Sequence, residues 1–142
     1  MLALASLLAC QALKSESANT NQHSDEEKNP ELSLLHKYGW TVASDPTDGK
    51  LDLPSPVTRL LDMRLYLQAS KAIGLDFSNY AGQTLPLRTY KVTNEAERGH
   101  DIRAHVLLAE KKIVGVWLSV EGEEIAPGIY ALNINPHKRN KQ

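Results

Sequence analysis

The chain has 142 residues, which is enough for one compact domain with a tail but too short for two independent hydrophobic cores. Apolar residues make up 42% and charged residues 23%, a balance typical of a soluble folded body and not of a multi-span membrane protein. Sixteen basic and seventeen acidic residues give a formal net charge of −1, so we expect no nucleic-acid partner. The single cysteine excludes an intramolecular disulfide and any metal site built from several cysteines.

The composition changes abruptly at Cys10. Residues 1–9, MLALASLLA, are uncharged, and as a helix they would span roughly 14 Å of the roughly 30 Å hydrocarbon core of a bilayer. We expect them to form a truncated signal-peptide-like segment. Residues 10–30 are polar and predict a disordered tether, which as a flexible coil of about 20 residues would average roughly 25 Å between its ends.

Structural periodicity follows the tether, and we expect one domain over residues 31–135 and a basic polar tail over residues 136–142. Residues 31–38 have apolar side chains at helical spacing before Gly39, which predicts a short first helix. An extended segment begins at Trp40, and the turn formers SDPTDG separate it from the alternating Leu51 and Leu53. This pattern predicts either a small hairpin or two edge strands.

The next segment has the strongest helical pattern in the chain. Ser55 is placed as an N-cap and Pro56 in the first turn, and Gly74 ends the helix. The apolar stripe that we expect to face a sheet consists of Val57, Leu61, Leu65, Ala69 and Ala72, and it is widened by Leu60, Met63 and Leu67. The segment LDFSNYAG then predicts a tight turn held by two aromatic anchors, Phe77 and Tyr80.

Three strands are predicted after this turn. Pro86 is expected at a sheet edge or at the start of a strand, because proline cannot donate to a ladder. The second strand alternates apolar residues against Arg103 and His105, and residues 110–112 form its turn into the third. With a short last strand in IAPGIYALN, the predicted fold class is α+β: one long helix packed on a small antiparallel sheet of about four or five strands, with a short N-terminal helix.

The segment Leu7-Leu8-Ala9-Cys10 resembles the lipobox of bacterial lipoproteins. In that family the cysteine is lipidated, and the resemblance implies a lipid-anchored protein on the extracytoplasmic face of the cell membrane, with Cys10 as the lipidation site. Two or three acyl chains anchor a protein stably where one does not. The alternatives are a secreted domain, a free cysteine after a frayed apolar end, and a cytosolic structural protein with a misread N-terminus.

A second resemblance covers about 100 residues. The strings LLHKYGW, YLQASKAIGLDFSNYAGQTLPLRTYKVTN and RAHVLLAEKKIVGVWLSVEG resemble domain of unknown function family 4830, small extracytoplasmic domains of Gram-positive bacteria. The matching positions are Gly74, Asp76, Ser78, Tyr80, Gly82, Tyr90 and Val92. Glu110-Lys111 replaces the Asp-Gly turn of the family. The resemblance implies location and architecture, and it carries no catalytic residue.

The densest polar cluster consists of His100, Asp101, Arg103 and His105, of which the last three would point the same way on a strand. A metal or acid–base site is one interpretation, and the solvated face of a half-buried strand is the other. No third ligand follows at a recognisable zinc spacing, and no nucleophile elbow or phosphate loop occurs, so we expect no metal, no cofactor and no catalytic residue. The predicted function is a non-enzymatic module that binds a protein or cell-envelope ligand. The alternative is a small metal-dependent or acid–base enzyme that uses His100, Asp101 and His105.

Overall fold

The computed structural model describes residues 29–95, 99–121 and 128–134. Among these described residues are two helices, α1 (Pro30–Lys37) and α2 (Leu61–Lys71), and two short 3₁₀ turns, Val57–Arg59 and Ser78–Tyr80. The strands are β1 (Thr41–Val42), β2 (Thr47–Asp52), β3 (Thr84–Thr93), β4 (Asp101–Ala109), β5 (Lys112–Glu121) and β6 (Gly128–Tyr130). The predicted signal-like segment, Cys10, nearly all of the tether and the basic tail lie outside the described residues.

All strand pairs are antiparallel, and they form one sheet in the order β1, β3, β4, β5, β6. β2 also pairs with β3, on the same side as β1, because β4 occupies the other side. Of the two alternatives for this region, the structure therefore contains two edge strands. Pro86 pairs only with β2, ahead of the ladder with β4 that begins at Leu87, which confirms its predicted place near a strand start.

We call one side of the sheet the closed face, because α1 and the segments flanking β1 and β6 cover it. Its buried strand residues are Tyr90, Val92, Ile102, Ala104, Val106, Val116, Leu118, Val120 and Tyr130. Leu35 of α1 packs onto this face, and the Trp40 indole donates a hydrogen bond of 2.9 Å to the carbonyl oxygen of Leu132. The predicted alternation of β4 and β5 is confirmed on this face.

A buried carboxylate fixes the start of α1 to the closed face. The Tyr90 hydroxyl donates to Glu31, and the Arg88 guanidinium donates to both Glu31 carboxylate oxygens at 3.2 Å. Arg88 also donates to Asp48 on β2 at 2.9 Å. Burial, followed by the hydrogen bond to Glu31, raises the pKa of Tyr90 to about 12, so its hydroxyl stays protonated as a donor. Because each buried charge is paired, the cluster ties α1 and β2 to β3.

The other side, the mixed face, is only partly covered. α2 packs on it over β5, where Met63, Leu67, Leu107 and Trp117 belong to one buried cluster. Leu107 joins this cluster by the same alternation that places His105 on the mixed face, whereas a β-bulge makes Val114 the extra residue of β5 and brings it into the cluster, which simple alternation along β5 does not predict. Gly115 leaves room for the ring of Phe77, since a Cβ at that position would lie 2.6 Å from the ring. Phe77 is therefore the confirmed anchor of the turn after α2, whereas Tyr80 is only partly buried.

The helix α2 begins later than predicted. Pro56 and Leu60 both have extended backbone, with ψ values of 158° and 141°, so the segment from Ser55 forms a 3₁₀ turn before the helix starts at Leu61. The predicted stripe is only partly confirmed: Met63 and Leu67, which widen it, face the sheet, whereas four of its members are exposed, namely Leu60, Leu61, Leu65 and Ala72. The helix is thus rotated relative to the side that its leucine spacing favours.

One buried serine accounts for this rotation. The Ser70 hydroxyl accepts a hydrogen bond of 3.0 Å from the Val116 amide and lies 3.2 Å from the Val116 carbonyl oxygen and 2.8 Å from that of Tyr66. Its single proton is available to one of these two carbonyl groups. β6 pairs with β5 only over Leu118–Val120, so Ser70 bonds the edge of β5 beyond the end of β6. With Ser70 on the sheet, Leu61 and Leu65 point outward.

The predicted fold class is wrong. The structure is mostly a six-stranded antiparallel sheet with two short helices, not one long helix on a sheet of four or five strands. Two local features cause the difference: residues 55–60 do not continue the helix, and residues 47–49 of the predicted turn belong to β2. The turn from β4 to β5 contains only Glu110 and Lys111, whose φ values of 52° and 65° are those of a type I′ hairpin turn, while Lys112 already belongs to β5.

Candidate binding surface on the mixed face

A row of three rings divides the mixed face into a covered half and an open half. Tyr66 of α2 stacks on Trp117 of β5, with ring centroids 4.4 Å apart and an interplanar angle of 8°. His105 of β4 follows Trp117 at 5.7 Å and 18°. Alternation along β5 places Trp117 on the side opposite the apolar residues of that strand, and in the structure its ring is buried under α2. The row marks where the cover provided by α2 ends.

Beyond this row the strand register brings polar side chains together. Thr89 pairs with His105, and Lys91 pairs with Arg103, which in turn pairs with Ser119. Part of this surface forms an open depression of about 400 Å³, which we call the polar depression. It is lined by Thr89, Lys91, Arg103 and His105 of the sheet and by Ser44, Asp45 and Thr47 around the connection from β1 to β2.

His105 is held by hydroxyl groups at both ring nitrogens. Its Nδ1 lies 3.1 Å from the Thr89 hydroxyl, and its Nε2 lies 2.7 Å from the Ser119 hydroxyl. Burial, followed by the positive charge of Arg103, lowers the pKa of His105 to about 4. A neutral imidazole donates from one nitrogen and accepts at the other, so one hydroxyl accepts and the other donates. The ring therefore orders two hydroxyl groups on neighbouring strands.

The four residues of the predicted polar cluster are divided between two places. Arg103 and His105 line the polar depression, whereas His100 and Asp101 line a neighbouring depression of about 360 Å³. Lys91 borders both. An ion pair of 3.2 Å joins Arg103 to one carboxylate oxygen of Asp101, and within residues 29–95, 99–121 and 128–134 the other oxygen has no hydrogen-bond partner.

This arrangement suits binding better than proton transfer or metal coordination. A general acid or base works best with a pKa near the operating pH, and His105 lies well below neutrality with both nitrogens engaged. Among the described residues, no group of three or more His, Cys, Asp or Glu side chains is placed to hold a metal ion. The surface instead offers hydroxyl groups and two cationic side chains, which recognise polar and acidic groups.

Sequence reasoning missed Lys91, Thr89 and Ser119 as members of the surface. Alternation predicts the side of its own strand on which each of them lies. Which of them become neighbours depends on the register of β3, β4 and β5, which one sequence does not reveal. In the part of the chain that the structure describes, the Lys91 ammonium group forms no ion pair, although Arg103 lies directly opposite.

Neither described helix has the length and apolar character that a membrane span needs.

The lowered pKa of His105 makes stability depend on pH in a defined window. The unfolded chain binds a proton near the ordinary pKa of 6.5 and the folded chain only near 4, so folding favours the neutral ring, and this stability is lost as the pH falls from 6.5 to 4. Over this pH range, we expect the free energy of unfolding of the His105→Gln variant to fall by about 1–2 kcal/mol less than that of the natural chain. The difference is smaller than the full pKa change implies, since partial exposure of the ring screens part of it.

Urea unfolding at a series of pH values measures this difference. His36→Gln, at an exposed position of α1, is the matched control and should follow the natural chain. Parallel pH profiles for the natural chain and His105→Gln would show that the ring is not held neutral by the fold.

Comparison with known proteins identifies a family but no activity. A family model described as domain of unknown function DUF4830 matches residues 34–118, from within α1 into β5. The match includes the strands that carry Lys91, Arg103 and His105, and it confirms the family resemblance stated from the sequence. No curated protein and no solved structure matches the chain. The chain therefore belongs to the DUF4830 family.

Proposed function

We propose that the chain is a lipoprotein held at Cys10 on the extracytoplasmic face of the cell membrane, and that its domain is a non-enzymatic binding module. The polar depression is its binding surface, and the ligand is a protein or cell-envelope component that carries acidic groups. Without lipidation, the same domain would be a secreted binding module.

The open half of the mixed face carries this proposal. Lys91 and Arg103 are directly opposite in the antiparallel pair of β3 and β4, where like charges destabilise a sheet. Asp101 balances only Arg103, at 3.2 Å, and Asp45 on the rim is the acidic residue that lines the depression with the two cations. An acidic group bound between Lys91 and Arg103 would relieve their repulsion and accept hydrogen bonds from the guanidinium group. The Thr89 hydroxyl, held by His105, lines the same depression, and the Ser119 hydroxyl holds the other nitrogen of that ring.

The anchoring part of the proposal rests on the amino-acid sequence. Leu7-Leu8-Ala9-Cys10 resembles a lipobox, and the polar residues that follow provide a spacer before the family domain at residue 34. A spacer of about 20 residues would let the domain reach ligands roughly 25 Å from its anchor. The alternative of a metal-dependent or acid–base enzyme has less support, because His105 is a weak base whose two nitrogens already have partners.

Intact mass spectrometry of the membrane-extracted full chain tests the anchor. We expect a diacylglyceryl adduct on Cys10, and we expect Cys10→Ser to leave the membrane fraction while Ser15→Ala remains in it. An unmodified thiol on a chain found among soluble intracellular proteins would contradict the proposed location.

Cross-linking on intact cells tests the binding surface. An amine-reactive reagent should join Lys91 to a ligand, and Lys91→Arg should lose this product because it keeps the charge but not the amine. Lys50→Arg, at an exposed position on β2, is the matched control and should retain the product. Arg103→Gln should weaken capture at Lys91. Unchanged capture in Lys91→Arg and Arg103→Gln would show that ligands bind elsewhere.

A further inference from the structure

Three leucines at the start of α2 form an exposed apolar patch. Leu60, Leu61 and Leu65 are 52%, 62% and 39% exposed, and they are the large hydrophobic residues that the described part of the chain leaves exposed. Leu61 and Leu65 are four residues apart, so they are neighbours on one side of the helix. We call these three residues the leucine patch.

The patch is the second apolar side of a helix that needs only one for its own packing. Met63, Leu67 and Ser70 already bury the sheet-facing side of α2. A helix that only covers a sheet carries polar residues on its outer side. Clustered apolar residues on a surface mark an interaction site, whereas single exposed ones need no explanation.

Basic residues border the patch. Arg59 and Arg64 are exposed on either side of Leu60 and Leu61, and Asp62 is the one acidic residue in residues 57–65. The charge of this segment is therefore positive. Leucines bordered by arginines are typical of a helix that lies in the headgroup region of an anionic bilayer, where the leucines enter the acyl boundary and the guanidinium groups contact phosphates.

We infer that the leucine patch docks the domain on an anionic lipid bilayer. A protein partner, including a second copy of the chain, fits less well, because a stable interface buries about 800 Å² on each side and uses about 20 residues or more. Three leucines at the start of one helix give a weak contact. A weak contact suffices for a domain that a lipid anchor already holds within roughly 25 Å of the membrane. That the domain is anchored near a membrane rests on the proposed function, but the affinity of the patch for lipid does not.

Co-sedimentation with vesicles tests the inference on the full chain carrying Cys10→Ser, which has no acyl anchor. With vesicles of equal parts phosphatidylglycerol and phosphatidylcholine, adding Leu61→Gln and Leu65→Gln should lower the partition coefficient about tenfold. Adding Arg59→Gln and Arg64→Gln should lower it on these vesicles but not on pure phosphatidylcholine. The apolar residues 1–9 are common to all variants, so their own affinity cancels in the comparison.

Two controls separate docking from general charge and from misfolding. Lys37→Gln with Lys50→Gln removes two exposed cations away from the patch and should retain most of the binding. Both leucines are exposed, so the leucine variant should unfold at the same urea concentration as its parent.

Two results would overturn the inference: equal vesicle binding by the leucine variant and its parent, or a dimer that the leucine substitutions abolish. The second would identify another copy of the chain as the occupant of the patch. The Cys10 mass measurement is independent: an adduct without patch-dependent binding rejects only this inference, and patch-dependent binding without an adduct rejects only the proposed anchor.

Discussion

The arrangement of the mixed face depends on one buried hydrogen-bond centre, the Ser70 hydroxyl. It satisfies the Val116 amide where β6 ends, at a position where an unpaired buried amide would cost about 1–3 kcal/mol. The contact joins residues 46 positions apart and sets both the place and the rotation of α2. Phe77 adds a second contact to this site, because its ring contacts β5 where Gly115 has no side chain. Helix and sheet are thus joined by polar pairing as well as by apolar packing.

The position and rotation of α2 leave two surfaces exposed. With α2 over β5, the row of Tyr66, Trp117 and His105 ends the covered half, and the pairs of β3 with β4 beyond it stay open around Lys91 and Arg103. The same rotation that buries Met63 and Leu67 turns Leu61 and Leu65 outward. The open polar half is the proposed ligand surface, and the leucine patch is the inferred lipid contact. Both lie on the side of the sheet that α1 does not cover.

The amino-acid sequence predicts those parts of the fold that depend on local pattern. Alternation identified Ile102, Ala104 and Val106 as one buried side, and the turn chemistry around Phe77 is borne out by the positive φ of Gly74 and Gly82. The sequence pattern does not determine which side of α2 faces the sheet. Leu61 and Met63 are both apolar, and the choice between them depends on a serine–amide contact across the fold. For the candidate site, the sequence grouped Arg103 with His105, but Lys91 required the strand register.

Hydrogen exchange at the Val116 amide is the most direct measure of how α2 is held. In the natural chain this amide should be protected although it lies beyond the end of β6, since Ser70 accepts its hydrogen bond. In Ser70→Ala its protection should fall by at least about tenfold more than that of the Leu118 amide, which β6 covers, and Ser78→Ala should leave both unchanged. Equal protection of the Val116 amide in the natural chain and in Ser70→Ala would show that something other than this hydroxyl positions α2 and the two surfaces that depend on it.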